Sequence, residues 1–111
     1  MNEFNFKSAI CTSVEQSRRL LELGLKQETA DMAIEPDLES TYEVYYISAY
    51  PPSKRGIPAW SLHRLIEIVA HTQYPYYVIS KELSIYDAIC ERIEWLIKEG
   101  YFNKEYLNGE D

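Results

Sequence analysis

The side chains that could carry chemistry in this chain of 111 residues are two histidines, two cysteines, eighteen carboxylates and ten tyrosines. A structural or catalytic zinc needs at least three His, Cys or carboxylate ligands held close together. His63 and His71 stand eight residues apart, about two helical turns. His63 is expected to face solvent and His71 to favour the negative end of its helix, so no metal is expected. The acids at Asp31, Glu35, Asp37, Glu39 and Glu43 resemble a carboxylate loop, but they lack the D-x-D-x-D-G spacing and the turn glycine of a calcium site. A nucleophile would have to be Cys11, Cys90 or an activated serine beside a base. Cys90 falls beside an apolar stripe, where a thiol packs inertly. Cys11 just precedes a helix start that would favour its thiolate, with His63 as a conceivable base, yet a structural thiol is the plainer expectation. The four glycines, at 24, 56, 100 and 109, allow neither a phosphate loop nor a nucleophile elbow. No catalytic residue and no cofactor are expected.

The tyrosines are the stronger signal. Tyr42, Tyr45, Tyr46 and Tyr50 share the run T-Y-E-V-Y-Y-I-S-A-Y, and Tyr74, Tyr76 and Tyr77 share Y-P-Y-Y-V-I-S. An apolar ring with a polar tip suits a half-buried sheet, and it equally suits an interface. Within 42–50, neither the odd nor the even positions are plainly polar. The strand is therefore either covered on both sides or keeps one aromatic face for a partner. Trp60, after a proline-rich loop, reads either as a lid on the core or as an exposed anchor of the kind that dominates interfaces. The candidate interface is Tyr42, Tyr46, Tyr50, Trp60 and Tyr76.

Composition narrows the partner. Net charge is −7, and between Lys26 and Lys54 there are six acids and no base. Such a surface repels phosphate, so direct nucleic-acid binding is not expected. No apolar run approaches bilayer length, and the start M-N-E-F-N-F-K-S lacks the pattern of a signal peptide. A cytoplasmic protein without a membrane segment is expected. Two distant cysteines do not make a disulfide framework. The length suits one domain, 1–111.

The positioning elements are legible from caps and periodicity. Thr12 with Glu15, and Ser13 with Gln16, form overlapping capping boxes that open helix one. Gly24 closes that helix, with Leu25 folding back on it. Ala30 to Ile34 reads as a short strand and Pro36-Asp37 as a turn, followed by the tyrosine strand 42–50. Residues 51–56 read as a loop. Helix two starts at Ser61 or, with Pro58 in its first turn, earlier, and ends by Pro75. Residues 76–80 read as a strand. Helix three runs roughly from Ile85 to Glu99, capped by Ser84 and stopped by Gly100. The expected core is Leu20, Leu21, Leu62, Leu65, Ile66, Val69, Ile89, Ile93, Leu96 and Ile97, with Trp95 partly included.

The blocks T-S-V-E-Q-S-R-R-L-L-E-L-G-L (12–25), T-A-D-M (29–32), P-A-W-S-L (58–62) and Y-D-A-I-C-E-R-I-E-W-L-I-K-E-G-Y (86–101) resemble small proteins from phages and mobile elements of Bacteroides-type gut bacteria. That group carries no assigned activity. The resemblance implies a bacterial or prophage setting and a small α+β domain, and it transfers no catalytic residue. Where such relatives often carry an aromatic run, this chain has Ala33-Ile34-Glu35-Pro36, which weakens the first strand.

The expected fold is α+β, with three helices on one face of a small, mostly antiparallel sheet in the order α-β-β-α-β-α. The expected function is a non-enzymatic protein-interaction module, binding a protein partner or forming a homodimer. One alternative is an acidic inhibitor or nucleic-acid mimic that occupies a basic site on a host protein. A weaker one is a small-ligand-binding domain or enzyme.

Overall fold

The computed structural model describes residues 9–37, 44–70 and 84–109. Three helices, α1 (Val14–Glu22), α2 (Leu62–Ala70) and α3 (Ile85–Lys98), accompany three strands, β1 (Met32–Pro36), β2 (Tyr45–Ala49) and β3 (Ile57–Ala59). The strands form one antiparallel sheet in the order β2-β1-β3. The fold is α+β.

Local signals set both ends of α1. The Ser13 hydroxyl accepts from the Gln16 amide, while the Gln16 side chain accepts from the Ser13 amide. At the other end Gly24 takes a φ of 100°. Its N–H reaches the Leu21 carbonyl and the Leu25 N–H reaches Leu20, the pairing that closes a helix through a left-handed residue. Leu25 is thereby folded into the core. Gly100 does the same for α3, at φ 80°, with Tyr101 bonding back to Leu96. At the start of α3 the Ser84 hydroxyl accepts from the Asp87 amide. Asp87 instead takes a bond of 2.7 Å from the Gln16 side chain, so the first turns of α1 and α3 are tied together.

The third strand sits where the sequence suggested a loop or the first turn of helix two. Met32 and Ile34 of β1 face Ala59 and Ile57, and Pro58 faces Ala33. The flanking bonds, Asp37 N–H to Val44 and Tyr50 N–H to Asp31, show that even-numbered residues of β2 point their backbone groups at β1. Ala33 and Glu35 therefore point at β2, and Met32 and Ile34 at β3. Pro58 points its missing N–H away from the sheet, where a proline costs no ladder bond. Helix two consequently begins after Ser61, whose hydroxyl accepts from the Arg64 amide. β1 is shifted two residues later than expected, so Pro36 pairs with Tyr45. The expected strand 76–80 and the close of helix two at 71–75 lie outside the described residues.

The main core joins Leu20, Leu25, Trp60, Leu65, Ile68, Val69, Ile89, Cys90, Ile93, Leu96 and Phe102. Leu21, Leu62 and Ile97 pack against it, half-buried. Ile66 is a correction: it is 41% exposed, because α2 turns Leu65, Ile68 and Val69 inward. Trp95 is 38% exposed, 5.7 Å from the Tyr101 ring and under the Arg92 guanidinium. A smaller cluster of Cys11, Ile34 and Ala59, with Val14, Met32 and Ile57, joins the start of α1 to one face of the sheet.

Trp60 locks these parts together. Its indole is fully buried and donates to the Thr29 hydroxyl at 2.9 Å. Its backbone N–H donates to the Thr12 hydroxyl at 3.0 Å, and its carbonyl accepts from the Thr12 amide at 2.9 Å. Thr12 Oγ1 is also 2.7 Å from Ser17 Oγ on α1. Replacing the Thr12 hydroxyl with a methyl group leaves the buried Trp60 N–H without an acceptor. The substitution Thr12→Val is expected to destabilise the fold by about 1–3 kcal/mol, read by denaturant unfolding. A loss below about 0.5 kcal/mol would mean that the Trp60 amide is not held by this bond.

Candidate functional site

Among the described residues β2 is an edge of the sheet. Tyr45, Tyr46 and Ile47 are 50%, 56% and 43% accessible, on both faces of the strand. Since the even residues direct their backbone groups at β1, the N–H and C=O groups of Tyr45, Ile47 and Ala49 point away from the sheet. Among the described residues no strand pairs with that side of β2. The segment 44–50 contains no charge, no lysine and no proline, the usual guards of an exposed edge.

The odd residues of β2 share a face with Ile34 and Ile57. There the sheet meets all three helices along a groove of about 800 Å³, bordered by Val14, Ile34, Tyr45, Ile47, Leu62 and Ile85. Ile10 and Ile85 are exposed beside it. The even residues face the opposite side, where the loop after β2 folds back. There the Glu35 carboxylate is buried and accepts from both the amide and the hydroxyl of Ser53. Those bonds hold its carboxyl below the ordinary value of 4.5, with burial opposing them. Gly56 lies so close that an added Cβ would sit 2.6 Å from the Glu35 carboxyl carbon.

The sequence-derived interface residues separate here. Tyr46 is exposed on the strand. Tyr50 is half-buried and packs against the main core. Trp60 is a correction: it is 0% exposed, and three polar contacts draw it inward, so it offers no surface. Tyr42 and Tyr76 lie outside the described residues. Tyr45 and Ile47 belong to the surface and were not singled out, although the β alternation around Tyr46 already placed them on the other face of the same strand.

The catalytic candidates are not assembled. Cys11 is buried and its thiol is pushed up by that burial and by Asp31, while Cys90 is pushed up by burial to about 11. Neither environment favours a thiolate. His63 is turned to solvent, 3.6 Å from Glu67 on the next turn of α2. Among the described residues no three His, Cys, Asp or Glu side chains converge on a metal position. No described helix is long and apolar enough to cross a membrane.

Two acids of the acidic stretch are engaged inside the fold. Asp31 accepts from the Ser61 amide and hydroxyl, at 2.8 and 2.5 Å, and so braces the start of α2. Glu35 is clasped by Ser53, as above. Neither presents a free carboxylate to a partner.

No family model, curated protein or solved structure matches the chain. The geometry must carry the functional reading.

The Glu35 clasp has a definite pH sign. A carboxylate whose folded pKa is depressed adds stability above its unfolded value, and that contribution fades as pH falls through the folded value. The gap in Tm between the native chain and Glu35→Gln is therefore expected to be complete near neutral pH and to close below about pH 4.5. Circular dichroism melts across that range read it, and a gap independent of pH would show that the Glu35 charge is not what Ser53 holds.

Proposed function

We propose that this chain is a non-enzymatic protein-interaction module that accepts a partner strand along the free edge of β2. One observation carries the reading: a strand of five residues leaves its outward backbone groups unpaired among the described residues, and aromatic and aliphatic side chains flank them on both faces. Strand addition of this kind draws affinity from main-chain bonds and selectivity from alternate side chains. Tyr46 would contact the partner on one face, Tyr45 and Ile47 on the other. A bacterial or prophage setting, a cytoplasmic site of action and the absence of direct nucleic-acid binding belong to the same proposal.

The acidic-mimic reading has less support, because Asp31 and Glu35 already serve the fold. Salt separates the two. Binding along β2 should survive about 1 M salt, where screening acts within roughly 3 Å; a phosphate mimic should release its partner.

Ala49→Pro removes one outward donor from β2 and leaves the bonds to β1 intact. Capture from a bacterial lysate is expected to weaken at least tenfold, about 1.4 kcal/mol, in Ala49→Pro and in Tyr46→Ser. It should be unchanged in Glu28→Lys with Asp37→Lys. Capture lost on charge reversal and retained in Ala49→Pro would overturn the proposal in favour of the mimic.

A further inference from the structure

We infer that the strand which occupies the β2 edge is the β2 of a second copy of this chain, paired antiparallel about a two-fold axis at Ile47. The inference rests on the strand-addition reading above and names its partner.

Register comes first. Only odd residues of β2 point their backbone groups outward, so a partner strand must meet Tyr45, Ile47 and Ala49. A two-fold axis at Ile47 sets Tyr45 opposite Ala49 of the partner subunit, Ile47 opposite itself, and Ala49 opposite Tyr45 of the partner subunit. All three outward residues then exchange N–H···O=C bonds in both directions. Moving the axis by one residue either way drops one outward residue per strand from this set.

Side-chain size agrees with that register. Tyr45 faces Ala49 and Tyr46 faces Ser48, so each ring lies opposite a small neighbour and no two rings collide. The centre pairs two β-branched isoleucines, which pack well across strands.

Charge is also compatible. The segment 44–50 carries none, so pairing stacks no like charges at the seam. β1 and β2 meet at the Asp37–Val44 end of the hairpin, the end toward which Glu35 and Asp37 lie. Antiparallel pairing puts the two such ends at opposite extremes of a six-stranded sheet, away from one another.

Exposed apolar side chains flank the edge. Val44, Tyr45, Tyr46 and Ile47, with Ile10 and Ile85 beside the groove, are each 43% exposed or more. At roughly 100 Å² per half-exposed large side chain, two copies offer at most on the order of 1,200 Å², the lower bound of a standard stable interface. A second Tyr45 and Ile47 would extend the apolar groove across the axis.

The test uses the whole chain. Sedimentation equilibrium up to about 100 µM is expected to give twice the monomer mass of 13.0 kDa. In mild oxidant Ile47→Cys should form a disulfide between copies, because a hydrogen-bonded antiparallel pair sets Cα atoms about 5.5 Å apart, within disulfide reach. Cys11 and Cys90 are buried and do not compete. Ile66→Cys, similarly exposed on α2, should stay reduced. Ala49→Pro should raise the dimer dissociation constant at least tenfold while circular dichroism stays native. A monomer at every concentration, or a dimer that Ala49→Pro leaves intact and Ile47→Cys does not cross-link, overturns the inference. If the monomeric chain still captures another protein in an Ala49-dependent way, strand addition stands and only the identity of the partner falls. If that capture is also absent, both fall together.

Discussion

Burial of Trp60 is the constraint on which the other described elements depend. A tryptophan can be buried completely only where its N–H finds an acceptor, and Thr29 supplies that acceptor while donating to the Lys26 carbonyl. The backbone of Trp60 must then be satisfied as well, and Thr12 does this twice. Thr12 stands just before Ser13, the cap of α1, and Thr29 shortly before β1. The next residue, Ser61, bonds Asp31 and caps α2. One short stretch of chain therefore fixes where the first helix starts, where the first strand starts and where the second helix starts. Truncating a buried tryptophan typically costs about 3–5 kcal/mol, a large share of the stability of a domain this size.

This arrangement leaves β2 with a different status from its neighbours. β1 is buried between the sheet's two sides, and β3 leads directly into Trp60. No residue of β2 belongs to either described core cluster. Its Tyr45, Tyr46 and Ile47 remain about half exposed, and each would gain on the order of 1–2 kcal/mol if covered. Among the described residues β2 is the strand least used by its own fold, which is the ground of the proposed strand addition.

Signals confined to a few neighbouring residues were legible in the sequence. Ser13 with Gln16, Gly24, Ser84 and Gly100 each act within one turn of helix, so α1 and α3 could be drawn from them, and the α+β class with its antiparallel sheet followed. What failed depended on distant residues. Pro58 is a sound first residue for a helix, and only its position beyond Ala33 at the outer side of β3 makes it a strand residue. For Trp60 the core reading was the stronger, with the anchor kept open because Thr12 and Thr29, which decide it, lie far away in sequence. Ile66 fits the apolar stripe of α2 but sits on its flank, a difference of one position that the neighbouring Ile68 decides. For the candidate surface, Tyr46 was legible as a strand tyrosine. That Tyr45 and Ile47 join it required knowing that β2 is an edge, and no local pattern records an edge.

The two edges of the sheet are treated in opposite ways, and that asymmetry bears on function. Beyond β3, the outward positions are Pro58, which has no N–H to offer, and Trp60, whose amide and carbonyl are both taken by Thr12. Proline and a covering segment are standard means of closing an edge against unwanted pairing. β2 has neither in the described structure, and its segment is uncharged. The faces are no alternative route: helices line one, and on the other the Ser53 loop is fastened over Glu35. A fold that closes one edge with a proline and a threonine, and keeps the other regular, apolar and unpaired among its described residues, leaves its sheet a single direction in which to grow. That direction is set by three outward peptide groups, at Tyr45, Ile47 and Ala49.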